Sequence, residues 1–353
     1  MLLRRRAATA AAATGLGLTR RRSEAEAKPA PHVTGVLVLF RHGARSPIWK
    51  LPDEDGQVYE TITAAPAHAA SVVVHDAVRA WSDKRGLMTT VGWAQGEALG
   101  RRLQATYGTP SEPPAVRSTD MMRTVLTAHA VLTGLYAPGA DAAGLQIQVE
   151  KRTAMHCPLW CEPLAELMAS GRAEARRDTG SAHFYAAVQQ QATLSGAVRA
   201  LTPPPPGIAA GSLPPARVTA IGVHDDCQAR RFHGKAPSAG VDVALCDAAS
   251  REAAREINWA LAHGGDESVR LSAGPLCAQV GELVRQLATS CARDPARPPK
   301  LSLLSGHDTT LFLLINALEG STPPCTRLPD YCTRDGGRSA PSESATELLR
   351  PRD

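Results

Sequence analysis

The sequence predicts an α/β fold in which a mainly parallel central sheet is flanked by helices and carries an inserted helical cap subdomain. Two apolar runs of strand length, at residues 35–40 and 300–305, each lead into an abruptly polar segment. Between residues 88 and 135, helix-like and strand-like patterns alternate, as they do around a parallel sheet. Ala-rich helical patterns, broken by Pro- and Gly-rich loops, occupy much of residues 138–297.

The first predicted element is a strand over Gly35–Phe40, a continuous apolar run that contains β-branched residues. Such a run is typical of a central strand that is buried on both faces. The polar and basic segment Arg41–Pro47, RHGARSP, follows at once. Ligand sites in open α/β sheets lie just beyond the carboxyl ends of the strands, so this loop is the first candidate for a functional site.

The next elements are helical. Residues 88–107 predict a helix with Thr89 or Thr90 near its N-cap and with Val91, Leu99 and Leu103 among its buried positions. Residues 115–117 predict the end of a short strand, and residues 121–135 predict a second helix.

A second buried strand is predicted over Lys300–Ser305, with a helix over Thr309–Leu318 behind it. Gly306, His307 and Asp308 lie between these two elements. If both apolar strands belong to one parallel sheet, their following loops emerge at the same edge. We therefore expect His307 and Asp308 to lie near the RHGARSP loop.

These patterns divide the chain into five segments. We predict a targeting or disordered segment at 1–30, a first part of the α/β core at 31–137, a helical cap insertion at 138–297, a second part of the core at 298–319, and an irregular tail at 320–353. Within the cap, the His224, Asp225 and Asp226 triplet is interpreted as a surface turn rather than a metal site. His233 is interpreted as structural.

The composition excludes two classes of protein. The net charge is +5, but removing residues 1–28 removes most of this excess, and aromatic residues make up 4% of the chain. The body therefore has neither the basic face nor the stacking surface that nucleic acid requires, and no nucleic-acid partner is expected. No run of eighteen or more apolar residues is present to span a bilayer as a transmembrane segment.

The first 23 residues contain two arginine clusters and no acidic residue, which is typical of a mitochondrial transit peptide. A secretory signal, leading to secretion or to an endomembrane lumen, is the alternative, and an untargeted tail is a third reading. The chain has eight cysteines without the spacing of a disulfide framework. They do not decide the compartment. The sequence also leaves the oligomeric state open.

The polar residues after the two apolar strands suit phosphoryl transfer, which needs an in-line nucleophile, fixed positive donors and an acid for the leaving oxygen. His42 is the predicted nucleophile and Asp308 the predicted proton donor. The predicted ligands of the phosphate oxygens are Arg41, Arg45, Arg117 and His307, since guanidinium groups donate paired hydrogen bonds to phosphate. Arg123 is interpreted as a solvated or ion-paired helix residue. The set requires no metal and no cofactor.

The motifs resemble those of the histidine acid phosphatases. RHGARSP at 41–47 is similar to their R-H-G-x-R-x-P signature, Gly306–Asp308 to their late H-D pair, and Val116–Thr119 to their R-S-T element. Within the family, the segments at 40–47, 88–103 and 116–124 are most similar to the lysophosphatidic acid phosphatases of type 6, and the match at 224–237 is weaker.

The resemblance implies a phosphoglycerate mutase-like fold and a phosphohistidine intermediate. It implies a small-molecule phosphate monoester as substrate, with lysophosphatidic acid as the example. Two alternatives stay open. One is a phytase-like phosphatase, and the other is an inactive phosphate-binding protein, because residues 320–353 depart from the strand-forming sequence found there in the family.

Overall fold

The computed structural model describes residues 33–48, 59–75, 86–136, 144–150, 155, 161–177, 220–238, 240–262, 265–290 and 298–319. The targeting segment 1–30, the Pro-rich loops at 203–207 and 213–215, and the tail 320–353 lie outside these ranges. So do Cys157, Cys291, Cys325 and Cys332. The described residues from Thr34 onward belong to one structural unit.

Five parallel strands form one sheet in the order β1-β5-β3-β4-β2 within the described ranges. These strands are β1 Gly35–Arg41, β2 Val73–His75, β3 Ala115–Thr119, β4 Gln146–Glu150 and β5 Lys300–Gly306. β1 and β5 pair from Gly35 opposite Lys300 to Arg41 opposite Gly306. The predicted fold class is confirmed, and the two apolar strands end side by side.

The described helices are α1 Thr90–Tyr107, α2 Met122–Leu135, α3 Glu162–Arg177, α4 Ala220–Phe232, α5 Val243–Ala262, α6 Asp266–Ser290 and α7 Asp308–Glu319. The predicted helices at 88–107, 121–135 and 309–318 are confirmed as α1, α2 and α7. Thr89 is the N-cap of α1, and its hydroxyl accepts the N–H of Gly92 at 3.2 Å. None of the described helices is both long and apolar enough to cross a bilayer.

The sheet is covered by apolar side chains on both faces, as the continuous apolar runs predicted. Along β1, Val36, Val38 and Phe40 pack in the cluster formed with α1 and α2. Leu37 and Leu39 pack in the opposite cluster, formed with α3, α5, α6 and α7. Alternate residues of a strand point to opposite faces, so a strand between two helical layers is apolar throughout.

The buried positions of α1, where it packs against α2, differ in part from the predicted ones. Leu103 is buried, whereas Val91 and Leu99 are half-buried. The closest approach is made by glycines, because a Cβ on Gly100 would lie 2.1 Å from the carbonyl oxygen of Val131. The two backbones are therefore closer than side chains would allow.

The predicted cap boundary at residue 138 is wrong, since β4 lies within the proposed cap yet pairs with β3 and β2 in the sheet. Its sequence, QIQVE, buries Ile147 and Val149 and exposes Gln146 and Gln148. Five alternating residues within Ala-rich helical sequence are a weak signal for a strand. α6 also lies against the sheet, where Leu276 and Leu283 share a cluster with Leu304 of β5.

α4 and α5 form a separate apolar cluster, which includes Val223, Leu245, Ala249 and Ala253. A disulfide between Cys227 and Cys246 joins these two helices. Cys161 and Cys277 are free thiols. The cysteine spacing alone did not predict this pairing.

Candidate active site

His42 lies in the loop directly after β1, with 4% of its surface exposed. Its backbone N–H donates to the carbonyl oxygen of Gly306 at 3.0 Å, and its Nδ1 lies 2.9 Å from the carbonyl oxygen of Gly43. Because a carbonyl oxygen only accepts hydrogen bonds, this contact assigns the hydrogen of the neutral ring to Nδ1. Nε2 therefore carries the lone pair and is the nucleophilic atom.

The protonation state of His42 also suits a nucleophile. Burial lowers the pKa of His42 well below its ordinary value, and neighbouring groups lower it further, in the order Arg41, Arg123, His307 and Arg45. The imidazole is therefore neutral in the folded protein under mildly acidic conditions that protonate an exposed histidine.

Close backbone contact with α1 fixes the loop that holds His42. A Cβ on Gly43 would lie 2.3 Å from the carbonyl oxygen of Gly92, so only glycine fits there. The Gly43 N–H donates to Thr127 Oγ1 at 2.9 Å, and the Ala44 N–H donates to Gln95 Oε1 at 2.8 Å. The loop is thus held by both α1 and α2, which explains the glycine that follows the histidine in the motif.

His307 and Asp308 follow β5, and the structure brings both to the site as predicted from the sheet. The rings of His307 and His42 are 5.4 Å apart between centroids, in an edge-to-face arrangement. Nε2 of His307 lies 3.1 Å from Thr119 Oγ1, at the end of β3. Three adjacent strands therefore contribute to one edge of the sheet.

Asp308 begins α7 and is 62% exposed, unlike the histidines. Its Oδ2 lies 3.3 Å from Nε of Arg41, and its Oδ1 accepts the N–H of Thr309 at 2.9 Å. Partial desolvation of the carboxylate opposes ionisation, but Arg41, this N–H, His307 and Arg45 together outweigh it and lower the pKa of Asp308. Asp308 thus lies where solvent and a leaving group reach it.

Arg45 lies three residues after His42, with its guanidinium between two acceptors. Nη1 donates to the carbonyl oxygen of Ser46 at 3.1 Å, and Nη2 donates to Oδ1 of Asp225 at 2.5 Å. Nε of Arg45 is buried and has no hydrogen-bond partner among the described residues. This group is therefore an uncommitted donor beside His42.

Arg117, a predicted phosphate ligand, is not brought into this group. It lies on β3, half-buried, and its Nη1 donates to Oε1 of Glu150 on β4 at 3.1 Å. It is not among the charges that shift the pKa of His42. The structure thus assigns Arg117 to an ion pair between neighbouring strands.

Arg123 takes the place that was predicted for Arg117. It is buried at the start of α2, directly beyond β3, and is among the groups that lower the pKa of His42. Burial, Arg45 and Arg41 lower the pKa of Arg123 to about 10, although Asp308 and Asp225 oppose this shift. Arg123 was interpreted as a solvated or ion-paired helix residue, and its burial shows that the solvated alternative is wrong. Its position just beyond a strand was the signal that could have identified it.

Three arginines, two histidines and a carboxylate therefore meet at the carboxyl ends of β1, β5 and β3. Residues 32–165 match the family model of the histidine phosphatase superfamily (branch 2). This match confirms the predicted resemblance at the level of the superfamily. It includes His42, Arg45 and Arg123 but ends before β5, so His307 and Asp308 are assigned to the site by geometry.

The individual proteins that the chain resembles are distant. Lysosomal acid phosphatase of Xenopus laevis is 35% identical over 109 residues, a stretch that spans 29% of this chain and 21% of that protein. The structure of the phytase from Citrobacter braakii superimposes with a TM-score of 0.52 at 18% identity, covering 83% of this chain and 79% of the phytase. The apo form of Hafnia alvei phytase gives a TM-score of 0.45 at 16% identity, covering 84% and 80% of the two chains. At 18% identity, the similarity to the Citrobacter braakii phytase shows the fold alone.

The candidate site is completed by α4, whose contribution to it the sequence did not predict. His224, Asp225 and Asp226 were interpreted as a surface turn, but they lie on this helix, and both acids are buried. The carboxylate of Asp225 contacts Arg45, whereas that of Asp226 accepts hydrogen bonds from Arg230 and Ser238. A helix packed over the site, rather than a turn, explains two adjacent acids with different partners.

A metal site is not formed by these side chains. No group of three or more His, Cys, Asp or Glu residues that could hold a metal ion occurs in the described part of the chain. His224 is instead bonded through Nδ1 to the hydroxyl of Ser250 on α5, at 2.8 Å. Nε2 of His233 lies 2.8 Å from Thr89 Oγ1. His233 therefore lies between the end of α4 and the N-cap of α1.

Proposed function

We propose that this protein is a phosphatase that hydrolyses phosphate monoesters through a phosphohistidine on His42. The observation that carries the proposal is a buried, neutral His42 whose Nε2 bears the lone pair and which lies within the field of three arginines. The superfamily match and the similarity to an acid phosphatase support phosphatase chemistry.

In the first step, Nε2 of His42 attacks phosphorus while the bond from phosphorus to the ester oxygen breaks. The protonated carboxyl group of Asp308 gives its proton to the departing oxygen, so the alcohol leaves neutral. Arg41, Arg45 and Arg123 stabilise the charge on the non-bridging oxygens. The product is a phosphohistidine and an ionised Asp308.

In the second step, water attacks phosphorus and the bond to Nε2 breaks. The Asp308 carboxylate takes a proton from this water, which restores both side chains as phosphate leaves. The protonated form of Asp308 that the first step needs becomes more abundant as the pH falls, and the lowered pKa of Asp308 moves this change to lower pH. Because burial keeps the pKa of His42 low, its ring remains a neutral nucleophile as the pH falls, so we expect activity to increase toward acidic pH.

For the substrate, we propose a monophosphate ester with a lipid tail, such as lysophosphatidic acid. This rests on the similarity of residues 40–47, 88–103 and 116–124 to lysophosphatidic acid phosphatases. The charge of the site supports a monophosphate, because Asp308 and Asp225 already pair with Arg41 and Arg45. A highly charged substrate such as phytate would meet these carboxylates unfavourably.

The deciding experiment measures turnover of p-nitrophenyl phosphate, lysophosphatidate and phytate by the purified full-length chain, with and without EDTA. We expect hydrolysis of the first two substrates, unaffected by the chelator. His42→Ala should abolish both turnover and the acid-quenched phosphohistidine, whereas His129→Ala, a histidine of α2 bonded to Ala70, should preserve them. Phosphate binding without turnover would instead support an inactive phosphate-binding protein, and preference for phytate would support the phytase alternative.

Two features of the chain bear on its cellular compartment, which we also propose. The arginine-rich start of the chain supports mitochondria, while the Cys227–Cys246 disulfide supports the secreted or endomembrane alternative, because disulfides persist in oxidising compartments. We propose the latter. A reporter fused to residues 1–30, followed in cells, should enter the secretory pathway, and import into mitochondria would reverse this assignment.

A further inference from the structure

The carboxylate of Asp225 connects α4 to the loop after β1, over 180 positions of sequence. Its Oδ1 accepts the N–H of Arg45 Nη2 at 2.5 Å, and its Oδ2 accepts the backbone N–H of Ile48 at 2.6 Å. The Arg45 and Asp225 side chains are 12% and 10% exposed. Both oxygens of one buried carboxylate thus bind the same loop.

These contacts fix the orientation of the Arg45 guanidinium. Asp225 holds Nη2, and the carbonyl oxygen of Ser46 holds Nη1. A planar guanidinium held at two corners cannot rotate without breaking both hydrogen bonds. The remaining N–H donors, Nε among them, are therefore set in place before a phosphate binds.

We propose that Asp225 is a positioning residue for phosphoryl transfer, which orients Arg45 toward the transferred group and holds residues 45–48 against α4. This inference rests on the proposed phosphatase function. Asp225 acts through Arg45, and no contact between Asp225 and substrate is required. Fixed donors stabilise the transition state without the cost of reorganisation during the reaction.

This role has an electrostatic signature that a structural role lacks. Asp225 repels a phosphate dianion while it orients Arg45, so neutralising it changes binding and catalysis in opposite directions. Ground-state binding of phosphate strengthens when the negative charge is removed. The chemical step slows, because Arg45 no longer has a fixed orientation.

The adjacent Asp226 provides a matched control. It is also buried on α4, but its Oδ2 accepts from Arg230 Nε at 2.9 Å and from Ser238 Oγ at 2.7 Å. These partners belong to α4 and to the segment that follows it, not to the loop after β1. Asp226→Asn therefore perturbs the same helix without touching Arg45.

The experiment compares wild type, Asp225→Asn and Asp226→Asn in kcat for p-nitrophenyl phosphate and in the dissociation constant of inorganic phosphate, measured by calorimetry. We expect Asp225→Asn to lower kcat by about 10–100-fold. We expect the same variant to bind phosphate about tenfold more tightly, as for removing one charge beside a dianion in a water-like dielectric. Folded Asp226→Asn should stay within about twofold of wild type in both quantities, since ion-pair changes away from the site leave its field intact.

A double-mutant cycle tests whether Asp225 acts through Arg45. In an Arg45→Ala background, Asp225→Asn should lower kcat by no more than about twofold, because the residue it orients is absent. If Asp225→Asn does not fold, Asp225→Glu takes its place. That variant keeps the charge but displaces the carboxylate, so we expect a lower kcat at unchanged phosphate affinity.

The inference is overturned if Asp225→Asn matches Asp226→Asn, if it weakens phosphate binding, or if its effect on kcat is undiminished without Arg45. Wild-type turnover is the separate readout for the proposed function. A wild type that binds phosphate but hydrolyses no ester contradicts the phosphatase proposal and, with it, the positioning role.

Discussion

At the scale of single residues, two arginines six positions apart have different partners. Arg117 lies on β3 and pairs with Glu150 of the neighbouring strand, whereas Arg123 lies just beyond that strand and faces the charges around His42. Only the second position lies beyond the carboxyl end of the strand, where parallel sheets place ligands.

We therefore predict that Arg123→Ala lowers kcat/KM for p-nitrophenyl phosphate by about 10²–10³-fold, the usual cost of losing one transition-state donor. Arg117→Ala, a matched change, should stay within a few-fold of wild type, because it removes a partly exposed ion pair. Steady-state kinetics on both purified variants test this. A larger loss of kcat/KM in Arg117→Ala than in Arg123→Ala would show that Arg117, and not Arg123, binds the phosphate.

Asp308 differs from the arginines because its proposed role concerns the leaving group. Asp308→Asn should slow phosphoenzyme formation from lysophosphatidate by about 10²–10⁴-fold, the typical value of general acid catalysis. The loss should be much smaller with p-nitrophenyl phosphate, because p-nitrophenolate departs without protonation. Arg45→Ala should slow both esters by similar factors, since it stabilises the transferred group. Single-turnover measurements on the two esters compare these effects, and equal losses in Asp308→Asn would make Asp308 a helix N-cap or positioning residue.

At the scale of elements, the packing of α1 on α2 holds the loop that contains His42. A Cβ at Gly100 would lie 2.1 Å from the Val131 carbonyl oxygen and 2.7 Å from the Leu135 nitrogen, both backbone atoms that cannot move independently. In α6, by contrast, a Cβ at Gly281 would meet nothing within 4 Å. Alanine substitutions at these two glycines therefore distinguish the effect of helix propensity from the effect of packing.

We predict that Gly100→Ala lowers the free energy of unfolding by about 2 kcal/mol or more, because overpacking exceeds the gain in helix propensity. Gly281→Ala should raise it by roughly 0.5–1 kcal/mol, which is the propensity gain alone. Urea denaturation of both variants measures the two values. A stabilised Gly100→Ala would show that the helices separate at little cost.

At the scale of the whole molecule, phosphate binding is linked to folding, because the site is assembled from residues 41–48, α2, α4 and β5, which are distant in sequence. The unfolded chain cannot hold the three arginines together, so phosphate binds the folded state preferentially. At a hundred times its dissociation constant, a ligand stabilises the folded state by about 2.7 kcal/mol.

Inorganic phosphate at that concentration should therefore raise the Tm of the wild type by roughly 4 °C. Differential scanning fluorimetry across a phosphate series measures the shift. Arg117→Ala should retain it and Arg123→Ala should lose most of it. An identical shift in both variants would mean that phosphate acts on the protein outside the proposed site.

The sequence by itself determined the sheet strands that carry the site. The mainly apolar runs at 35–40 and 300–305 predicted strands buried on two faces, and both end in polar motifs, so His42, Arg41, Arg45, His307 and Asp308 were predicted together. The helices at 88–107 and 121–135 followed from periodicity and from a threonine N-cap. These features depend on local pattern, which the sequence records directly.

Only the tertiary structure decided which side chains complete the site. β4 was missed because five alternating residues are a weak signal within Ala-rich sequence, although their pairing with β3 provides Glu150 as the partner of Arg117. Asp225 contacts Arg45, which is 180 positions away in the sequence, and no local sequence pattern predicts such a contact. Long-range contacts depend on how helices pack over the sheet, because packing, rather than residue type, determines which of two adjacent acids faces the arginine.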